Sequence, residues 1–144
     1  MASAQTVEVF NCTPKEFYSL VADFEKYPEF LNEVKKVKIL KKAANSLEME
    51  YTVSVLKTFS YKLKAELKEP SSVKFHYTEG DVFKSMKGSW DIQPEGKDKC
   101  KVTYDVEANF GLLVPGAIAK TLVSVNLPMM IDSFKKRIKK VYGK

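Results

Sequence analysis

The sequence predicts an α+β fold: a curved antiparallel β-sheet of six to seven strands wrapped around a long C-terminal α-helix, with two short helices after the first strand. Three observations predict it. From residue 33 to residue 110 apolar and polar side chains alternate with a period of two, through segments separated by turn signals, the pattern of an antiparallel meander. After Phe110-Gly111 the period becomes helical, with Ile118, Leu122, Val125, Met129, Met130, Phe134, Ile138 and Val141 on one broad stripe. The chain has 144 residues, room for one hydrophobic core, so the apolar sheet face and the helix stripe must bury each other. Residues 1–144 are expected to form a single domain.

Each element has its own signal. A first strand is expected over about residues 5–10, where Val7 and Val9 alternate with polar neighbours and Phe10 closes the run. Thr13-Pro14-Lys15-Glu16 then offers an N-cap hydroxyl, a proline at the first helical position and a glutamate to complete a capping box. Phe17, Leu20 and Val21 form the inner stripe of that helix, which should end near Asp23. Residues 23–31, DFEKYPEFL, read as a second short helical turn anchored by Phe24, Tyr27, Phe30 and Leu31, with Pro28 best placed in a first turn. The meander follows. Leu47, Met49, Tyr51, Val53 and Val55 share one face, as do Phe59, Tyr61, Leu63, Ala65 and Leu67, then Val73, Phe75 and Tyr77. Met86, Gly88, Trp90 and Ile92 continue it, and Pro94-Glu95-Gly96 turns the chain into Cys100, Val102, Tyr104, Val106, Ala108 and Phe110. The last helix spans roughly 25 residues, about 115–142, and Pro128 should kink or break it near residues 124–128.

Composition narrows the function classes. Apolar residues at 44% and charged residues at 29% are ordinary globular usage and exclude a disordered chain. No window approaches the ~20 apolar residues of a membrane span, and the start MASAQTVEVF lacks a basic flank before an apolar stretch, so a cytoplasmic location is expected. Cys12, Cys100 and a single histidine, His76, give no metal-ligand pattern, and no metal is expected. The formal charge of +6 is local: Lys135, Lys136, Arg137, Lys139, Lys140 and Lys144 account for it, and the rest of the chain is balanced. Such a tail suits RNA or an anionic membrane surface; it equally suits a solvated helix end whose cations complement the macrodipole. Lys35, Lys36, Lys38, Lys41 and Lys42 form a second basic cluster with the same two readings.

A curved sheet closed by a helix leaves a groove lined by side chains of both, a shape that suits small ligands. If the registers hold, Tyr51, Tyr61, Phe75, Tyr77, Met86, Trp90, Tyr104 and Phe110 point into it from the sheet, with Leu122, Met129, Met130 and Phe134 opposite. These are the candidate pocket residues. The same alternation is also the ordinary signature of a filled core.

Three stretches carry a family resemblance that covers nearly the whole chain. LVADFEKYPEFLNEV at 20–34 is similar to the valine-aspartate and tyrosine-proline-x-phenylalanine signature of the coenzyme Q-binding and polyketide cyclase branch of the START-like, helix-grip (SRPBCC) superfamily. KGSWDI at 87–92 resembles that branch's glycine-x-tryptophan strand, and MMIDSFKKRIKKVYG at 129–143 its terminal helix. The branch often carries proline and an aromatic or cysteine after its phenylalanine-leucine pair, where this chain has Asn32-Glu33. The resemblance implies the helix-grip fold and a hydrophobic guest, such as an isoprenoid quinone, lipid or polycyclic aromatic, carried in the groove. No resident cofactor is implied, a quinone or lipid being the guest itself.

Catalysis needs a nucleophile, base or metal, and the sequence holds no Gly-rich phosphate loop, nucleophile elbow or zinc-protease pair. His76, Asp91, Asp105 and Glu107 fall on the polar sheet face by alternation, so no catalytic residue is assigned. A polyketide cyclase or dehydratase would have to work by orienting its substrate with pocket tyrosines, Tyr51, Tyr61, Tyr77 and Tyr104. The same branch also includes proteins like the ribosome-association toxins, for which the basic tail would be the contact with ribosomal RNA.

Overall fold

The first elements form where local signals put them. β1 (Ala2–Phe10) leads into α1 (Pro14–Val21) through the expected capping box. The Glu16 backbone N–H donates to Thr13 Oγ1 at 3.2 Å, and the Thr13 N–H donates to Glu16 Oε1 at 2.9 Å, so two of the helix's orphan donors are satisfied. A 3-10 helix, Phe24–Glu29, follows, burying Phe24 and Tyr27. The computed structural model describes residues 2–55, 57–80, 83–111, 116–117 and 126–143.

Six strands then run as the meander predicts: β2 (Val34–Lys42), β3 (Ser46–Val55), β4 (Lys57–Lys68), β5 (Ser72–Gly80), β6 (Phe83–Pro94) and β7 (Cys100–Phe110). The seven-stranded sheet has the order β1-β7-β6-β5-β4-β3-β2, with each described pair antiparallel. Register shifts interrupt β2/β3, β4/β5 and β6/β7. Such irregularities bend a strand and increase its twist, and here they curve the sheet around α2 (Asn126–Tyr142). α2 ends at Gly143, whose φ of 71° and N–H to Lys139 O bond of 2.9 Å make a left-handed cap open to glycine.

The concave face and α2 enclose the core, in which Phe10, Phe17, Val21, Met49, Val73, Val102 and Phe134 are almost completely buried. The convex face is wet, as the alternation requires. His76 and Asp91 are exposed there, Lys87 pairs with Glu107 at 3.7 Å, and Asp105 accepts from Gln5 Nε2 at 3.2 Å.

Two expectations are corrected. In β1 the apolar alternation is inverted: Val7 and Val9 are 51% and 45% exposed. Phe10, paired with buried Cys100, sets the inner parity. Glu8 therefore faces inward, where Lys135 of α2 meets it at 2.7 Å; a valine side chain on the outer face of an edge strand is cheap by comparison with an unpaired inward carboxylate. In α2, Met129 is 50% exposed. Leu127, Met130, Ile131, Phe134 and Ile138 keep the 3, 4 spacing toward the sheet, and at 3.6 residues per turn Met129 lies about 140° around the helix from Phe134. Pro128 sits exposed in the first described turn of α2, while residues 124–125 of the segment where a kink was expected, and Leu122 before them, lie outside the described residues.

Candidate functional site

Between the sheet and α2 lies a cavity of about 200 Å³. Register builds its walls. Cross-strand partners Tyr51 and Tyr61 stack at 5.7 Å between ring centroids, and partners Trp90 and Tyr104 meet at 4.4 Å. Phe75 stacks on Tyr104 at 6.2 Å because its strand partner is Gly88: a Cβ there would lie 2.3 Å from the end of the Phe75 ring and 2.8 Å from the Asp105 carbonyl. Glycine is required at this position by the close approach of a neighbouring ring and backbone.

Eight of the candidate residues line the hollow: Tyr51, Tyr61, Phe75, Met86, Trp90, Tyr104, Phe110 and Met130. Three described candidates do not. Phe134 lies behind the wall, with its ring 5.2 Å from Trp90, 5.7 Å from Phe17 and 5.1 Å from Phe30, so it props Trp90 rather than facing the space. Tyr77 turns its hydroxyl to the Gly80 carbonyl and its ring to Phe83, and Met129 faces solvent.

The walls also include residues the sequence reading did not select. Phe24, Tyr27 and Leu31 enter from the 3-10 helix and the turn after it, and Leu127 from α2. Val53, Phe59, Leu63, Val106 and Ala108 have the parity of the chosen residues, so the alternation contained them. Phe83 has the wrong parity for its strand and reaches the wall, against Tyr61 at 5.2 Å and Phe110 at 5.3 Å, because the register shifts between Phe83 and Ser85. Nothing in the pattern signals Glu33, the one charged side chain in the wall among the described residues.

Burial raises the phenols of Tyr27, Tyr51, Tyr61 and Tyr104 above their ordinary range, and each is raised further by a neighbouring phenol or carboxylate, Glu33 in the case of Tyr61. All four are neutral donors at physiological pH. Tyr27 donates to the Val21 carbonyl at 2.5 Å. Arg137 pins the 3-10 helix to α2: its Nη2 donates to Glu29 Oε1 at 3.0 Å, and its guanidinium lies 5.0 Å over the Phe30 ring. That hydrogen bond is the main cause holding the Glu29 carboxyl below its usual value. Cys12 and Cys100 are buried thiols not joined in a disulfide, and hydrogen bonding from Cys12 is the leading cause lowering Cys100. Among the described residues no group of acidic, histidine and cysteine side chains could hold a metal ion, and no helix is long and apolar enough to cross a membrane.

Known proteins resemble this chain in sequence or in fold. The ribosome association toxin RatA of Pseudomonas aeruginosa is 26% identical over 132 residues, 90% of each chain. A START superfamily protein from Mycobacterium smegmatis superposes with a TM-score of 0.85 at 19% identity, covering 96% of this chain and 98% of that one. The ZhuI aromatase/cyclase from Streptomyces sp. R1128 does so with a TM-score of 0.81 at 12% identity, covering 96% and 94%. At these identities the two structures establish the helix-grip START fold. The family model described as polyketide cyclase/dehydrase and lipid transport matches residues 11–135, and the chain belongs to that family.

Proposed function

We propose that the cavity binds a hydrophobic small molecule and that the protein serves as its carrier or chaperone. The observation that carries this reading is the hollow itself, about 200 Å³ walled by aromatic and aliphatic side chains where an ordinary core would be filled. An apolar void of about 150 Å³ in another protein takes up benzene, so this one suits one or two fused rings. That favours a polycyclic aromatic, or the ring of an isoprenoid quinone, over a whole lipid tail. A guest losing a few hundred Å² of apolar surface gains several kcal/mol at about 25 cal/mol per Å², before ordering costs. Tyr51, Tyr61 and Tyr104 would also be the orienting groups if the guest reacts, as in a cyclase or dehydratase. A cytoplasmic setting fits two cysteines that form no disulfide.

Trp90 is the chain's single tryptophan and lines the cavity, so its emission reports occupancy. Native mass spectrometry of the purified protein should reveal a copurified apolar molecule, and naphthalene-sized aromatics should shift Trp90 emission. An empty mass spectrum together with unresponsive emission overturns the reading.

A second reading, contact with ribosomal RNA or an anionic membrane surface, is favoured by the similarity to RatA and by exposed lysines on α2 and β2. The tail is less free than its sequence suggests, since Lys135, Lys136 and Arg137 pair with Glu8, Asp132 and Glu29. Replacing Lys139, Lys140 and the β2 lysines by glutamine should flatten the salt dependence of any ribosome binding; an unchanged slope rejects these residues as the contact.

A further inference from the structure

The chain has two cysteines, about ninety positions apart in sequence, and the fold brings their sulfurs together in the core. The register of β1 on β7 does this. Phe10 pairs with Cys100, and Cys12 follows Phe10 by two positions in the link to the Thr13 cap of α1, so it keeps the inward parity that Phe10 sets. Both cysteines are 0% exposed, and the Cys12 side chain hydrogen-bonds the Cys100 sulfur. Burial by itself raises a thiol. At Cys100 the bond from Cys12, with a further one from the Phe10 backbone, outweighs burial and the charge of Glu16, and holds the thiol below its ordinary value. A buried cysteine usually fills space as a small apolar side chain, a role that asks for no particular neighbour. Here the neighbour is the chain's other thiol, in contact with a sulfur that gives up its proton more readily than burial alone would allow. The pair also lies where the fold can open. β1 is an end strand of the sheet, and an edge element separates locally at a smaller cost than unfolding the whole chain, which admits an oxidant little larger than water.

We propose that Cys12 and Cys100 are a redox-controlled cross-link, oxidised by a peroxide to a disulfide that ties β1 and the start of α1 to β7. The Cys100 thiolate attacks one peroxide oxygen, the O–O bond breaks, and hydroxide leaves as a sulfenic acid forms. The Cys12 sulfur then attacks the sulfenic sulfur, the S–O bond breaks, and the new S–S bond remains. Two thiols lose two protons and two electrons, and the peroxide takes them up as two waters. The disulfide closes the long loop from residue 12 to residue 100, which restricts the unfolded chain and so stabilises the folded one. A reducing thiol reverses it by exchange.

The full chain, treated with hydrogen peroxide at neutral pH, then denatured in iodoacetamide and digested, tests this. Neither cysteine should be alkylated, and the peptides holding Cys12 and Cys100 should appear joined, at about 2 Da below their summed mass, from a chain that stays monomeric on a non-reducing gel. Dithiothreitol should restore both alkylations. The oxidised chain should unfold at a urea midpoint about 1 M or more above that of the same sample after dithiothreitol. Comparing one sample before and after reduction cancels any methionine oxidation, which dithiothreitol leaves in place. Two alkylated cysteines after peroxide, sulfinic or sulfonic acid without the joined peptides, cross-links between chains, or joined peptides that arise only in urea each overturn the proposal. An equal or lower midpoint in the oxidised sample overturns the tying of β1 to β7. Cys12→Ser should halt the reaction at a sulfenic acid on Cys100 that dimedone traps. The wild-type mapping needs no variant, so an unstable substitution leaves the test decisive.

Discussion

One half of the space under the sheet is solid and the other is hollow, although the same alternation of side chains writes both. In the solid half Phe17 of α1 packs on Phe10 at 4.6 Å, on Trp90 at 5.8 Å and on Phe134 of α2 at 5.7 Å, so rings from two helices fill the sheet's curvature. In the hollow half the sheet contributes Tyr51, Tyr61, Phe83 and Phe110, and the described part of α2 answers with no ring, only Leu127 and Met130. Binary patterning says which face is inside; whether the inside is filled depends on which large side chains the helices bring opposite. Trp90 stands on the boundary, held by Phe134 on one side and open to the cavity on the other.

The largest effect should come from breaking the solid half. Phe134→Ala removes a fully buried ring and should cost about 3–5 kcal/mol in urea unfolding, whereas Phe83→Ala, in the wall of an existing void, should cost about 1–2 kcal/mol. Equal losses would mean that the two halves are packed alike. Next, Gly88→Ala sets a methyl group against the Phe75 ring and the Asp105 carbonyl and should cost about 1–3 kcal/mol by overpacking. Adding Phe75→Leu should return part of that loss in a double-mutant cycle, leaving the share due to the backbone contact.

Alkaline pH probes chiefly the hollow half, although burial also raises the Tyr18 phenol on α1. The phenols of Tyr51, Tyr61 and Tyr104 titrate higher in the folded chain than in the unfolded one. Above about pH 10 the unfolded state loses protons that the folded state keeps, so stability is full below that pH and should fall by up to about 1.4 kcal/mol per pH unit for each such phenol. Tyr51→Phe should flatten that slope in urea midpoints measured from neutral to strongly alkaline pH, and an unchanged slope would show that its hydroxyl is hydrated. The smallest effect concerns the clamp. The Glu29 carboxyl is lowered by its bond to Arg137, so its contribution is present above the unfolded carboxylate value near pH 4.3 and disappears as pH falls through the folded value. Glu29→Gln should remove that acid-side dependence while hardly moving the urea midpoint at neutral pH.

Most of the framework could be read before any coordinates. The capping box at Thr13 and Glu16, the turn at Pro94-Glu95-Gly96 and the parity from Leu47 to Phe110 are local or period-two signals, and each corresponds to an observed element. What escaped depends on partners distant in sequence. Val7 and Val9 face outward because Phe10 pairs with Cys100 and Glu8 meets Lys135. Phe83 reaches the cavity because of a register shift that no composition rule marks. Phe134 and Met130 share a stripe, yet one seals the solid half and the other faces the void, a distinction set by what stands across from each.

The placement of β1 beside β7 has a consequence for how the chain reaches this structure. Every residue of β1 waits for a partner about a hundred positions further on, so during synthesis the first strand emerges with nothing to pair with while β2 through β6 can zip hairpin by hairpin. The sheet is completed from its oldest end by one of its newest strands. A chain cut short before Cys100 would carry its N-terminal segment as an unpaired ribbon, prone to pairing with a neighbour, and closure of the sheet would then be the step that separates productive folding from aggregation.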